Sequence, residues 1–373
     1  DGMIATTPIS IIGAIALIIA YFPYLDQFAP DLAAWLANSI SQVSSVTIGL
    51  LTLVIIVSCA ASYCEQLKLE KVYGVLVALI AFLLLSNFSY IGDVYVNGEV
   101  VKNATVYGVI PTSLFSSTGI FPCLITTLVS LRLYWFFTKK NLTIKMPDAV
   151  PPNVSNSFSS LIPFALVVLI FLVIRNLFLM TPYLYFPDFI NQVLSQPLLA
   201  IGDSVGAVMI FILIQQLLWF FGIHPNTVYS AFVPLQMTLI MTNMADLQAG
   251  RPLTYLTLTL VSMFASFGGN GNTIGLCLSM FTAKSERYKK MLKLAFIPNL
   301  FNINEPLIFG LPLMYNPIMM IPFVLGYMVV AVVAVVLTMT GIIPVPVLSA
   351  PWILPAPIKT FMATSGSIPA VIF

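Results

Sequence analysis

The stretch Pro298-Asn-Leu-Phe-Asn-Ile-Asn-Glu305-Pro306 decides how this sequence folds. Glu305 is an acidic residue in strongly apolar surroundings, and Pro306 restrains its backbone to extended or turn conformations. Prolines recur too often here for one straight helix, at positions 298, 306, 312, 317 and 322. Because each proline removes a backbone hydrogen bond, the pattern predicts a broken segment in which free polar groups face a cavity or other protein.

The composition indicates what surrounds this segment. Of the 373 residues 59% are hydrophobic and 8% are charged, whereas about 25% are charged in typical soluble domains. Apolar runs such as 72–85 and 319–340 recur along the chain, and several approach the ~20 residues of a membrane-spanning helix. The sequence therefore predicts an all-α polytopic membrane protein, and its net charge of +2 is too small to indicate a nucleic-acid partner.

The apolar runs predict the order of the membrane elements. Full spans are expected over 4–22, 43–62, 72–88, 111–137, 161–180, 198–221 and 319–341. The runs 253–267 and 274–282 are too short for spans, and the turn from Gly268 to Thr273 between them predicts a re-entrant hairpin. Alternating residues over 91–109 around Asn97-Gly98 predict a short β-hairpin. About ten membrane elements, re-entrant hairpins included, are expected.

The distribution of basic residues predicts the orientation. Lysine and arginine concentrate in the loops 132–145 and 284–293, which the positive-inside rule assigns to the cytoplasm. The predicted β-hairpin is then extracellular. The four cysteines have neither metal-ligand nor paired spacing, so we expect them to pack, and the sequence contains no metal-binding cluster and no cofactor motif.

Glu305 is the first candidate site residue, because an ionisable residue inside a membrane is functional by default. Asn302 and Asn304 lie beside it. Amides and a carboxylate near an unwound turn hydrogen-bond several hydroxyls at once, which suits a sugar better than a metal. The alternative is a buried acid that only ties helices together through backbone donors.

His224 is the single histidine and lies at a break between two apolar runs, followed closely by Asn226. We interpret it as sharing a cavity with Glu305 and holding or deprotonating a hydroxyl; a satisfied core histidine is the alternative. The glycine-rich turn carries Asn270 and Asn272. It lacks the ending of a phosphate-binding loop, so it is either a tight turn or a hairpin tip that lines the pathway.

Three stretches resemble motifs of one known family. They are Pro151-Pro-Asn-Val-Ser-Asn-Ser-Phe158, Phe221-Gly-Ile-His224 and Asn304-Glu-Pro-Leu-Ile-Phe-Gly310. Together, and in this order, they are similar to the membrane (EIIC) subunits of the lactose/cellobiose/diacetylchitobiose family of the bacterial phosphotransferase system (PTS). The resemblance covers essentially the whole chain. It departs from the family pattern at Pro225, Asn270 and Asn272, which bears on the identity of the substrate.

The resemblance implies a multi-pass homodimer in the lipid of the bacterial plasma membrane. Residues 1–150 would form the dimerisation domain, and residues 151–373 a transport domain that moves the sugar by an elevator-type motion. His224 and Glu305 would lie near the 6-hydroxyl of the sugar, with Asn304 as a neighbouring contact. A cytoplasmic EIIB subunit carrying a phosphocysteine would phosphorylate that hydroxyl. The motif of EIIB is not in this sequence, so EIIB would be a separate chain or a missing part of this one.

The resulting hypothesis is a PTS EIIC transporter that binds a β-linked disaccharide outside and presents its 6-hydroxyl inside. The alternative is a proton-coupled sugar symporter in which Glu305 and His224 relay protons and the sugar emerges unmodified. The chemical form of the transported sugar distinguishes the two.

Overall fold

The computed structural model describes residues 2–20, 25–96, 99–144, 146–147, 150–223, 226–256, 266–311, 313–348, 350 and 353–373. The described part is mostly helical. Up to residue 202 its helices are α1 (Thr7–Ala20), α2 (Leu25–Phe28), α3 (Pro30–Thr47), α4 (Leu51–Leu67), α5 (Lys71–Leu85), α6 (Ile120–Lys139), α7 (Pro152–Leu179), α8 (Phe186–Ile190) and α9 (Gln196–Gly202).

The remaining helices are α10 (Val205–Phe220), α11 (Asn226–Gln248), α12 (Ile274–Ser279), α13 (Glu286–Leu300), α14 (Glu305–Gly310), α15 (Pro317–Met339), α16 (Ala356–Ala363) and α17 (Ile368–Ile372). A π-helical turn, Asn191–Ser195, joins α8 to α9, and short 3₁₀ turns occupy Ile4–Thr6, Thr112–Phe115, Ser117–Gly119 and Met280–Thr282.

Within the described residues, four helical stretches are long and apolar enough to cross a membrane: Pro30–Leu67, Ser117–Lys139, Val154–Leu179 and Pro317–Met339. They fit the predicted polytopic membrane protein, while the count of ten elements stays a prediction. The span predicted over 198–221 is bent near its start, because Phe186–Gly202 and Val205–Phe220 meet at 75°. Ser204 starts the second helix by accepting a hydrogen bond from the Ala207 N–H at 3.3 Å, so the chain turns at a helix cap.

The first of two compact units combines the residues up to Ser10 with Ser45–Pro197. Helices α4 to α7 pack together in it around Val77, Ala81, Tyr134 and Phe171. A side chain at Gly74 would collide with the Cys64 sulfur, so the missing side chain lets α4 and α5 approach closely, as small residues do in membrane bundles. All four cysteines are free, and Cys59 alone among them is partly exposed.

A two-stranded sheet in this unit is the predicted β-hairpin. Strands β1 (Ser89–Val96) and β2 (Glu99–Tyr107) pair antiparallel, with Val96 opposite Glu99. The two-residue connection, Asn97-Gly98, lies outside the described residues. A bulge follows on β2, where Asn103 has a φ of +52° and its N–H donates to the Asp93 carboxylate at 3.1 Å. The hairpin is confirmed, and its extracellular position stays a prediction.

The second unit combines Ile11–Ser44 with Leu198–Phe373. One core lies between α10 and α15, where Ile212 meets the fully buried Ala331 and Ala334. A second core joins α10, α12, α13, α14 and α15 through buried apolar residues that include Trp219, Cys277, Leu292, Leu307 and Phe323. This second core positions the candidate site.

Candidate functional site

The Pro298–Pro306 stretch is a helix end followed at once by a helix start. At the end of α13 the Ile303 N–H donates to the Pro298 carbonyl and the Asn302 N–H to the Asn299 carbonyl, both at 3.0 Å. These two bonds form a Schellman motif, which requires a left-handed residue at the position of Asn302. Asn302 has a φ of +62°, a conformation that asparagine tolerates better than most residues. The predicted break in the segment is confirmed.

Glu305 is the first residue of the short helix α14. The N–H groups of Leu307 and Ile308 donate to the Asn304 carbonyl at 2.9 and 3.0 Å, and both side chains are buried in the second core. Glu305 itself is half-buried, and its Oε2 atom is shielded from solvent. The apolar side of α14 therefore fixes the place of the carboxylate.

The glycine-rich turn lies against this break. Gly268, Gly269 and Gly271 have φ values of +75°, +84° and +77°, a region that glycine enters without strain. A Cβ at Gly269 would lie 2.7 Å from the Asn302 carbonyl oxygen, and one at Gly271 would collide with the Phe323 ring. These two positions thus need glycine for close packing as well as for conformation.

Buried amides fasten the turn to the break. Asn302 Oδ1 accepts hydrogen bonds from the N–H groups of Gly268 at 3.1 Å and Gly269 at 3.3 Å. Its Nδ2 donates to the Leu354 carbonyl at 2.7 Å. Asn304 Nδ2 donates to the Asn270 carbonyl at 2.6 Å. Each bond satisfies a backbone group that would otherwise be left unpaired.

Three further residues at the turn were not predicted from the sequence. Asn299 is fully buried and donates to the Gly268 carbonyl and to Thr273 Oγ1, both at 2.8 Å. Lys359 is buried in α16, and its ammonium donates to the Ser266 carbonyl at 3.4 Å. Gln216 on α10 donates to Asn270 Oδ1 at 3.1 Å. A polar residue inside an apolar run is the signal that could have found Gln216 and Lys359.

The structure brings several predicted site residues together. Asn270, Asn302 and Asn304 are joined at the turn, and Glu305 directly follows Asn304 in the chain. Asn272 belongs to the same turn, where its Oδ1 accepts from the Phe267 N–H at 3.0 Å. His224 and the side chain of Asn226 lie outside the described residues. The predicted sugar contacts of all these residues stay predictions.

The arrangement offers hydroxyl-binding chemistry. A carboxylate accepts hydrogen bonds, an amide both donates and accepts, and the fastened turn holds these groups without further ordering. Within the part of the chain that the structure describes, no three His, Cys, Asp or Glu side chains come together as metal ligands.

Comparison with known proteins gives one consistent result. The family model described as "Phosphotransferase system, EIIC" matches residues 1–326. The chain is 30% identical over 372 residues to the oligo-beta-mannoside-specific EIIC component of Bacillus subtilis (strain 168), covering 98% of this chain and 82% of that protein. It is also 30% identical to the lactose-specific EIICB component of Staphylococcus aureus, covering 98% of this chain and 63% of that protein.

A solved structure is similar throughout. The fold superimposes with a TM-score of 0.91 on the transporter ChbC, the IIC component of an N,N'-diacetylchitobiose-specific phosphotransferase system. The sequence identity is 30%, and the match covers 100% of this chain and 87% of that one.

Proposed function

Because the chain belongs to the phosphotransferase system EIIC family, we propose that it carries a β-linked disaccharide across the bacterial plasma membrane and presents the sugar's 6-hydroxyl to phosphorylated EIIB. Similar proteins are named for oligo-beta-mannoside, lactose and N,N'-diacetylchitobiose. All three are β-linked sugars, which supports the proposed substrate class.

The observation that carries the proposal is the position of Glu305 at a break in an apolar segment, beside a turn held by buried amides. In the proposal the Glu305 carboxylate accepts a hydrogen bond from the 6-hydroxyl, and His224 holds or deprotonates the same hydroxyl. A positioned base raises the nucleophilicity of a hydroxyl, and phosphoryl transfer depends mainly on such positioning.

The proposal assigns the remaining predicted contacts by their burial. Asn270, which is partly exposed, reaches the sugar from the turn. Asn272 is the second proposed contact there, although its amide nitrogen is shielded from solvent. Asn302 and Asn304, which are 7% and 3% exposed, act chiefly by shaping that turn. Asn226 completes the proposed set next to His224.

Two regions of the chain have different roles in the proposal. Residues 1–150 form the dimer interface, and residues 151–373 carry the sugar in an elevator-type movement. Phosphate comes from the phosphocysteine of EIIB on the cytoplasmic side. A similar protein is named an EIICB component. Its name joins EIIC with EIIB, and this supports EIIB as the partner.

The test is calorimetry on the purified, detergent-solubilised protein with lactose, cellobiose and N,N'-diacetylchitobiose. One sugar is expected to bind saturably, and Glu305→Gln to weaken its binding at least tenfold, about 1.4 kcal/mol. Glu286→Gln is the matched control, because Glu286 is 75% exposed and pairs with Lys289 at 2.8 Å. Equal binding by both variants would contradict the role of Glu305.

Product analysis separates the proposal from a symporter. Vesicles containing the protein and supplied with phospho-EIIB are expected to accumulate sugar phosphate, with no requirement for a proton gradient. Accumulation of unmodified sugar that follows the proton gradient would overturn the proposal in favour of proton-coupled symport.

A further inference from the structure

Gln216 is a buried amide on a helix that is apolar except for two adjacent glutamines. The sequence of α10 from Val205 to Phe220 contains ten consecutive apolar or glycine residues before Gln215 and Gln216. Gln216 is 0% exposed, and its Oε1 is buried with no hydrogen-bond partner among the described residues. An unpaired buried amide oxygen costs about 1–3 kcal/mol. Leucine at this position would avoid this cost, but it would also remove the hydrogen bond that the amide nitrogen donates.

The nitrogen of Gln216 holds the side chain of Asn270. Gln216 Nε2 donates to Asn270 Oδ1 at 3.1 Å across 54 positions of sequence. The backbone of Asn270 is held separately, because its carbonyl accepts from Asn304 Nδ2 at 2.6 Å. Gly269 and Gly271, both at positive φ, flank it. Asn270 is thus fixed at both its main chain and its side-chain oxygen.

Because the side-chain oxygen of Asn270 is held, its side-chain nitrogen is the atom that can meet a ligand. Asn270 is only partly buried. Its Nδ2 is not sealed from solvent, and it makes no hydrogen bond to the described residues. An amide nitrogen is a donor only, so a ligand group that meets it must supply an acceptor.

We propose that Gln216 is a positioning residue that sets the hydrogen-bond polarity of Asn270, so that Asn270 recognises a sugar oxygen by donating to it. The inference rests on the proposed function, since it deepens the sugar site. Sugar hydroxyls both donate and accept, and a donor-only group selects their acceptor role. Gln216 therefore contributes to specificity without touching the sugar.

Deoxy and fluoro sugars test directly whether Asn270 donates a hydrogen bond to the sugar or accepts one from it. Fluorine keeps a weak acceptor and removes the donor, whereas a deoxy sugar keeps neither. The probes are the monodeoxy and monofluoro derivatives of whichever of lactose, cellobiose and N,N'-diacetylchitobiose binds most tightly. At the one position that meets Asn270, the unmodified protein is expected to bind the fluoro sugar within about threefold of the parent and the deoxy sugar about tenfold more weakly.

Five variants, one of them a double substitution, test the mechanism by calorimetry. Gln216→Met, close in size and unable to donate a hydrogen bond, is expected to weaken parent binding about threefold to tenfold and to abolish the fluoro-versus-deoxy difference. Gln215→Met is the matched control, because Gln215 is the adjacent residue on α10 and no hydrogen bond of its side chain is found within the described chain. Asn270→Asp keeps the acceptor for Gln216 but presents a second oxygen, so the fluoro sugar is expected to lose its advantage. Adding Gln216→Met to Asn270→Ala is expected to cause no further loss.

Each contrary result has a distinct meaning. Additive losses in Gln216→Met and Asn270→Ala, or a fluoro-versus-deoxy difference that survives in Asn270→Asp, would overturn the inference and leave the proposed function intact. If Gln216→Met fails to fold, the Asn270→Asp result decides alone. If the folded, unmodified protein binds none of the three disaccharides, the proposed function fails and this inference fails with it.

Discussion

Asn302 joins two segments that lie 34 positions apart, because its side-chain oxygen accepts a hydrogen bond from the Gly268 N–H at 3.1 Å. The same oxygen also accepts from the Gly269 N–H, and both glycines are buried. The residue that ends α13 in the left-handed conformation is therefore the residue that holds the glycine-rich turn. One residue therefore ends the helix through its backbone and holds the turn through its side chain.

Replacing Asn302 separates its two roles. Asn302→Gly keeps the left-handed backbone but leaves the buried N–H groups of Gly268 and Gly269 without their acceptor. We therefore expect a loss of roughly 2–4 kcal/mol of stability. Asn302→Ala adds about 1–2 kcal/mol of backbone strain. Asn141→Gly is the control, because Asn141 is exposed with a φ of +55°. Apparent unfolding midpoints in detergent compare the stabilities of the three variants. Equal midpoints for Asn302→Gly and Asn141→Gly would show that the side-chain hydrogen bonds of Asn302 contribute nothing to stability.

The turn is also expected to reject a single added methyl group. In Gly271→Ala the new Cβ meets the Phe323 ring at a φ of +77°, so we expect a loss of about 1–3 kcal/mol together with weaker sugar binding. Gly275→Ala is the control, because a Cβ there meets open space on α12, and alanine favours a helix by about 0.5–1 kcal/mol. Thermal unfolding and calorimetry check both variants. Similar behaviour of the two would contradict the packing described for Gly271.

Asp246 is expected to stabilise the loop that follows α11. It is 5% exposed, and its carboxylate accepts from Arg251 Nη2 at 2.8 Å and from Thr254 Oγ1 at 2.7 Å. Asp246→Ala leaves these donors without their acceptor, so a loss of about 2 kcal/mol is expected. Glu286→Ala removes an exposed ion pair and should cost at most about 1 kcal/mol. Denaturation midpoints compare the two, and a Glu286→Ala loss as large as that of Asp246→Ala would refute the assignment.

The β-bulge gives a prediction in the first unit. Asn103 has a φ of +52°, which a β-branched residue adopts at a cost of about 1–2 kcal/mol. Asn103→Val is expected to speed hydrogen exchange in Glu99–Tyr107, while Asn103→Gly leaves the exchange nearly unchanged. Because the bulge and the glycine-rich turn belong to different units, sugar affinity is expected to stay the same in both variants. Equal exchange rates in the two would mean that the bulge imposes no strain.

Several features were predictable because they depend on local chemistry. The small charged fraction indicated a membrane protein, the proline spacing indicated the break before Glu305, and Asn97-Gly98 indicated the β-hairpin. Each follows from solvation or from the backbone limits of a few neighbouring residues. The 75° bend near the start of the span predicted over 198–221 could not be predicted in this way. The overall hydrophobicity of that span was clear, but the capping serine that bends it is a weak local signal.

The sequence by itself determined which residues are unusual: an acid in an apolar stretch, asparagines beside prolines, and three glycines in one turn. Only the tertiary structure decided which groups of the chain their side chains hydrogen-bond. Asn302 meets Gly268 across 34 positions and Gln216 meets Asn270 across 54. A hydrogen bond needs its donor and acceptor within about 3 Å, and over such separations that distance is set by how the helices pack, which no local pattern encodes.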